Sequence, residues 1–251
     1  MASTYLTPAR PRVLAHRGLA LDAPENTIAA FAAAIAVGAS YLETDVRRSN
    51  DGVPVLAHDP TLERVAGRKT EVSALTLAEL RAIDLGGGSG FPTLEEALVA
   101  FPEVRFNIDV KDDGAVDAVI EVVRRTGAGH RVLLTSFDDR RRRRLGAAVP
   151  EAVTSGGRTA VIRAWLASII GSTQMLRRAL AGASALQVPE RVGPIPLVTD
   201  RFLAGVHAAG AEVHVWTVNE PDEMRRLLAK GVDGLVTDRC DLAVEVVRER
   251  T

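Results

Sequence analysis

Apolar and polar positions along the chain follow two alternating rhythms. Short runs of mostly apolar residues are followed by longer stretches in which apolar residues recur every three or four positions, the signatures of buried strands and amphipathic helices. The first run covers residues 13–15 and ends at His16-Arg17-Gly18. Ile28, Phe31, Ala32 and Ile35 then fall on one helical face, with Asn26 or Thr27 placed as the cap and Gly38 as the stop. Seven more strands are read at 41–46, 105–111, 132–135, 152–154, 185–188, 212–218 and 234–237. Helical spacing separates most of them. Thr93 and Glu96 form a capping box that opens one helix. Pro221 suits the first turn of another. A longer stretch places Ile162, Trp165, Leu166 and Ile169 on one face. Asp51-Gly52 predicts a tight hairpin turn into a short arm, 53–57. The region from about 60 to 91 is irregular, with one capping-box spacing at Thr76 and Glu79 and a glycine-rich loop at 86–90.

Eight strands alternating with helices argue for parallel strands joined by crossover helices. With 251 residues the expectation is a single α/β domain, residues 1–251. Its fold would be a closed (β/α)8 TIM-type barrel with a short insertion after the second strand and its hairpin. No G-x-G-x-x-G follows the first strand, which argues against a dinucleotide site.

Composition narrows the functional classes. A hydrophobic fraction of 47%, a charged fraction of 25% and a net charge of −1 describe an ordinary globular protein. They give no electrostatic reason to expect a nucleic-acid partner. Residues 1–12 lack a signal-peptide core, and no run of about 18 apolar residues predicts a membrane anchor. The one cysteine, Cys240, has no partner for an internal disulfide. A cytoplasmic monomer or homodimer is expected.

The chemistry lies at strand ends, where barrels of this kind keep their working residues. Glu43 and Asp45 alternate on one face of the second strand, and Asp109 and Lys111 on one face of the third. Two neighbouring carboxylates repel and are costly to desolvate, so they call for a cation or a hydrogen-bond network. Glu43, Asp45 and Asp109 offer hard oxygen donors, which suit one divalent cation, Mg2+ or Ca2+, with Mn2+ also compatible. His16 and His58 are candidates for general acid and base near neutral pH. Arg17 and Lys111 are candidate phosphate ligands, and pairing with the carboxylates is their alternative role. Trp216 is placed either to wall the substrate's organic part or to pack the barrel. The arginine run 140–144 reads as partly solvated helix surface. His130, His207 and His214 read as structural.

His16-Arg17-Gly18, Pro24-Glu25-Asn26-Thr27, Glu43-x-Asp45, Asp51-Gly52, His58-Asp59, Trp216-Thr217-Val218-Asn219 and Thr237-Asp238 together resemble the glycerophosphodiester phosphodiesterase family. The resemblance runs in order from about residue 13 to 238 and is most specific in the first half. It implies hydrolysis of glycerophosphodiesters such as glycerophosphocholine or glycerophosphoethanolamine to sn-glycerol 3-phosphate and an alcohol. It also implies Ca2+ or Mg2+ at Glu43, Asp45 and the strand-three acid, an acid–base pair in His16 and His58, and phosphate contacts from Arg17 and Lys111. Glu25 is brought into the same site by the resemblance alone. The strand-three acid is usually Glu; Asp109 is shorter by one methylene, about 1.5 Å. Two rival functions remain. A lysophospholipase D-like hydrolase would need an apolar entrance, for which a short insertion and 4% aromatic residues offer little support. A catalytically inactive phosphodiester-binding protein would have lost a histidine or a carboxylate, and none is missing.

Overall fold

The computed structural model describes residues 4–250. The ends of the 1–251 span, including the first residues of the stretch read for a signal peptide, lie outside them. The strands are β1 (Arg12–His16), β2 (Tyr41–Arg48), β3 (Pro54–Leu56), β4 (Arg105–Val110), β5 (Val132–Thr135), β6 (Val153–Gly156), β7 (Ala185–Pro189), β8 (Arg191–Val192), β9 (Ile195–Pro196), β10 (Glu212–Trp216) and β11 (Gly234–Thr237). The helices are α1 (Ile28–Ala36), α2 (Glu63–Ala66), α3 (Leu77–Arg81), α4 (Leu94–Ala100), α5 (Val116–Arg125), α6 (Asp139–Ala148), α7 (Arg158–Ile170), α8 (Thr173–Leu180), α9 (Asp200–Ala208), α10 (Pro221–Ala229) and α11 (Cys240–Arg248).

Among the described residues, eight parallel strands run in the order β1-β2-β4-β5-β6-β7-β10-β11, and β11 pairs back to β1. This is the closed barrel the alternation predicts. β3 is an antiparallel arm on the end of β2, as the Asp51-Gly52 turn requires. Among the described residues, no helix is long and apolar enough to cross a membrane.

Strand parity sorts the interior into layers. Leu14 lies beside Tyr41, and His16 beside Glu43. Glu43 in turn lies beside Asn107, and Asp45 beside Asp109. Side chains two residues apart on a strand share a face. The inward series therefore begins apolar at Leu14, Tyr41, Leu133 and Ala185 and turns polar toward the strand ends. The outward series, such as Val13, Ala15, Leu42, Phe106 and Leu134, packs under the helices as the main core.

The lower end of the barrel is closed by the N-terminal segment. Tyr5 is fully buried, with its ring edge-on to Tyr41 at 5.2 Å. Arg12, also buried, donates to Glu212 at 2.7 and 2.8 Å and to the Tyr41 hydroxyl at 2.6 Å. His214, fully buried, bonds the same Glu212 at 3.0 Å, so its reading as structural holds.

The caps follow the sequence. Thr27 caps α1 by accepting from the Ala30 amide, which frees Asn26 for the site. In α4 the Thr93 hydroxyl accepts from the Glu96 amide at 3.1 Å, and the Glu96 carboxylate accepts from the Thr93 amide at 2.8 Å. Thr93→Ala is expected to cost about 1 kcal/mol. That lowers the melting temperature by about 2–4 °C in a chain of this size, read by differential scanning calorimetry. The insertion has a small core of its own, including Leu62, Val72, Leu80, Ile83 and Phe91.

One helix departs from its predicted face. α7 buries Ala160, Ala164, Ala167 and Ser168, whereas Ile162, Leu166 and Ile169 stand about half exposed and Trp165 half-buried. Small residues let α7 approach α8 and α9 closely, and the bulky residues are left on the outer side. The structure also adds a short hairpin, β8–β9, in a stretch to which the sequence reading assigns no element. In the arginine run, Arg142 is buried, and Arg144 is solvated and pairs with Asp117.

Candidate active site

A cavity of about 670 Å3 opens at the C-terminal ends of the strands. It collects His16, Arg17, Glu43, Asp45, His58, Asp109, Lys111 and Trp216, eight of the nine predicted site residues. The ninth, Glu25, lines an adjoining pocket under the insertion that shares His58.

The β1 exit explains the His-Arg-Gly sequence. Arg17 has φ +58° and Gly18 φ +86°. A Cβ at Gly18 would come within 2.7 Å of the Ala30 backbone, so only glycine lets α1 sit this close. The left-handed Arg17 turns the chain sharply, and its amide donates to the Glu43 carbonyl at 3.0 Å and to the Glu43 carboxylate at 3.2 Å. Asn26, also left-handed at φ +56°, returns its amide to the Arg17 carbonyl at 2.9 Å. Its side-chain amide reaches Asp45 at 3.3 Å, and its oxygen accepts from the Thr44 hydroxyl at 2.7 Å.

Each candidate histidine is held by an aspartate. His16 Nδ1 lies 2.6 Å from Asp238 Oδ1, and Asn219 donates to the other Asp238 oxygen at 2.8 Å. His58 Nδ1 lies 2.7 Å from Asp59 Oδ1. A carboxylate on Nδ1 places the proton there, so each neutral ring presents Nε2 as a base. His16 Nε2 is 3.9 Å from Glu43 Oε2. Burial alone would lower the His16 pKa, but the Asp238 hydrogen bond and the Glu43 charge outweigh it and raise the pKa.

The carboxylates are buried and unequally served. Asp45 has Lys111 at 2.8 Å and Arg17 at 3.1 Å. Burial opposes its ionisation, but these two cations win and hold its pKa below the usual value. Asp109 takes Lys111 at 2.6 Å through one oxygen, and its other oxygen has no hydrogen-bond partner among the described residues. Burial pushes its pKa up. Glu43 fares worst: burial and the Asp45 charge push it up to about 8. Burial would lower the Lys111 pKa, yet Asp45 and Asp109 raise it. Arg17 and Lys111 therefore rest on carboxylates, the alternative role set out for them above. Among the described residues, no three of the His, Cys, Asp and Glu side chains stand together as a finished metal site. The Lys111 ammonium lies between Asp45 and Asp109 instead.

An ion-pair chain ties the insertion to both ends of the site. Arg17 donates to Glu25 at 3.0 Å. Arg64, on α2, donates to Glu25 at 2.6 and 3.0 Å and to Asp59 at 2.6 Å. Arg64 thus braces both the loop that carries Glu25 and the aspartate that orients His58. It is about half exposed, so its effect is modest. Arg64→Ala is expected to lower kcat about 3- to 10-fold, with Arg64→Lys recovering part of the loss in steady-state kinetics.

The opposite wall is apolar. Phe137, Ile162, Trp165, Val192, Ile195 and Trp216 line it. Trp216 meets Phe137 edge-on at 6.1 Å, and the Lys111 ammonium lies 5.6 Å from the Phe137 ring, where polar floor and apolar wall join. The apolar entrance that the insertion gave no sign of is therefore present, built from α7 and the β8–β9 hairpin.

Several groups in or behind the site escaped the sequence reading. Asp59 and Asp238 were visible as motif neighbours but had no assigned part. Barrel closure was the missing signal for Asp238: Ala15 pairs with Thr237, so the next residues, His16 and Asp238, are neighbours. Asn107 and Gln187 line the cavity itself, and each has a buried atom with no hydrogen-bond partner among the described residues.

A family model described as the "Glycerophosphoryl diester phosphodiesterase family" matches residues 16–242. The chain belongs to that family. It is a family of hydrolases, and the chain is similar to several of its members. It is 41% identical to "Probable glycerophosphodiester phosphodiesterase 2" of Mycobacterium tuberculosis, over 94% of this chain and 90% of the relative. Glycerophosphodiester phosphodiesterase from Thermotoga maritima has a crystal structure that superposes with a TM-score of 0.74 at 28% identity, covering 93% of this chain and 97% of that one. An Oleispira antarctica phosphodiesterase, solved in complex with the product sn-glycerol-3-phosphate, superposes with a TM-score of 0.80 at 25% identity, covering 95% and 97%.

Proposed function

We propose that the protein hydrolyses glycerophosphodiesters such as glycerophosphocholine or glycerophosphoethanolamine to sn-glycerol 3-phosphate and an alcohol, with His16 and His58 as the acid–base pair. The observation that carries this reading is the pairing of each histidine with an aspartate through Nδ1, beside three buried carboxylates in one cavity. One imidazole takes the proton of the attacking hydroxyl, from water or the neighbouring glycerol 2-hydroxyl, and the other protonates the departing alcohol oxygen. Asp238 and Asp59 hold the rings and stabilise the imidazolium that forms. Arg17 and Lys111 bind the phosphate, and Trp216 borders the organic part. The product complex of the Oleispira relative supports the same product here.

The donor set fits a divalent cation. Glu43 is buried and, among the described residues, no lysine or arginine forms an ion pair with it; one Asp109 oxygen is likewise unpartnered. Oxygen-only donors suit Mg2+, Ca2+ or Mn2+. Glu43, Asp45 and Asp109 would hold the ion, which would compete with Lys111 for the two aspartates. When bound it supplies positive charge to a phosphate oxygen as negative charge builds there. A cytoplasmic location fits this chemistry, since water-soluble phosphodiesters need no membrane contact.

The test is release of glycerol 3-phosphate from glycerophosphocholine by metal-stripped protein, with single ions added back. Turnover with a hard divalent ion supports the reading. Tight binding of glycerophosphocholine by folded, ion-loaded protein with no product would replace it with a binding role.

A further inference from the structure

We infer that the protein docks through the outer face of α7, with α8 beside it, on a membrane surface rich in anionic lipids. The reaction proposed above needs no lipid, so the inference adds a docking site and leaves the substrate unchanged. At about 100° per residue, Ile169, Ile162, Leu166 and Ile170 cover about 100° of the outer side of α7. Arg158 lies about 20° beyond one edge of that stripe, and Arg163 about 20° beyond the other. The four apolar side chains are each 48% exposed or more, and Met175 on the adjoining α8 is 42% exposed. Single exposed apolar residues mean little, but a continuous stripe marks a contact surface. Folding does not account for it, because α7 meets the core through Ala160, Ala164, Ala167 and Ser168.

The charges say what covers the stripe. From Ala152 to Pro189 the chain holds four arginines and no aspartate or glutamate. Arg201 on α9 adds a fifth, at the C-terminal end of α7: a Cβ at Gly171 would lie 3.1 Å from its guanidinium. Arg158, Arg163, Arg178 and Arg201 are exposed, and among the described residues no carboxylate pairs with them. The acids that flank the region are occupied. Asp139 accepts from the Gly157, Thr159 and Ala160 amides, and Glu190 is paired with Arg226. A second copy of this chain seated on the stripe would set arginine rims against each other, whereas anionic head groups neutralise them. An apolar stripe edged by arginines suits a helix lying in the plane of a lipid surface. Its apolar side chains enter the acyl boundary and its guanidinium groups stay at head-group level. α7 has 13 residues and is about 20 Å long, too short to cross a hydrocarbon core of about 30 Å.

The test is co-sedimentation of the full chain with vesicles of phosphatidylcholine alone and of phosphatidylcholine mixed with phosphatidylglycerol. Expected is binding to the anionic vesicles that weakens as salt is raised, and little binding to the neutral ones, since each arginine near the surface contributes about fivefold. Arg178→Glu changes the charge by two and is expected to weaken partition about 25-fold. Ile169→Asp removes an inserted side chain and adds an acid, and is expected to weaken it at least about tenfold. Neither residue lines the catalytic cavity, so both variants should turn over glycerophosphocholine at the wild-type rate. Melting curves check that they are folded, and Arg163→Glu at the other edge of the stripe replaces either one that is not. No binding to anionic vesicles at low salt overturns the inference. So does equal, salt-independent binding to neutral vesicles, or binding that the folded variants retain in full. Sedimentation velocity without lipid covers the rival occupant: a dimer that Ile169→Asp disperses assigns the stripe to a second copy and overturns the lipid surface.

Discussion

Replacing either His16 or His58 by alanine is expected to lower kcat on glycerophosphocholine by about 10²- to 10⁴-fold, the range for removing a positioned proton-transfer group. The two losses arise differently. His16 is the more enclosed, bonded to Asp238 and near Glu43. His58 sits at the rim, more open to solvent and braced by the insertion. If the pair acts as one unit, the double variant loses little more than the worse single variant, since a lone acid or base has no partner step to assist. Strictly multiplicative losses would mean two independent steps. Asp238→Asn and Asp59→Asn discriminate further. Each leaves a side chain of the same shape but removes the charge that fixes the tautomer, so kcat should fall while KM changes little. A His16→Ala enzyme with wild-type turnover would sink the assignment.

Removing divalent ions is expected to abolish measurable turnover and to lower thermal stability, and the stability effect grows with pH. Glu43 titrates near 8 in the folded protein against an ordinary value of 4.5, chiefly because it is buried and next because Asp45 stands beside it. The folded state therefore holds a proton that the unfolded state has released between those values. The stability contributed by the neutral acid is full below about 4.5, declines as pH rises and is gone above about 8. A bound cation offsets that loss. At a hundred times its dissociation constant it contributes about 2.7 kcal/mol, or about 5–10 °C in melting temperature for a chain of this size. The rise should be larger at pH 8.5 than at pH 6, and Glu43→Gln should reduce both the rise and its pH dependence. Melting curves that ignore Mg2+, Ca2+ and Mn2+ alike would remove the cation from the proposal.

The barrel itself was legible because its signals are local. A strand such as Tyr41 to Val46 shows its parity in sequence, and parity alone puts Glu43 and Asp45 inside. His16 and His58 were legible because they end strand-like runs. What stayed hidden was contact between distant segments. Arg64 gave no sequence sign of its work, because Glu25 and Asp59 meet only after the insertion folds over the mouth. α7 was misread for a related reason. Ile162, Trp165, Leu166 and Ile169 satisfy the helical period, but the period does not say which of two candidate faces the neighbours want. Ala160, Ala164 and Ala167 won because closeness, rather than side-chain bulk, decides how α7 docks.

The tyrosine–arginine closure at the foot of the barrel has a kinetic side. With Tyr5 and Arg12 sealing that end, traffic through the catalytic chamber is one-way in and the same way out. In the proposed reaction the alcohol and the glycerol phosphate would both leave by the doorway that the next substrate needs. Whichever product held the floor charges longer would set the queue, and the phosphate monoester, if it faces Arg17 and Lys111 as proposed, is the one with reason to linger.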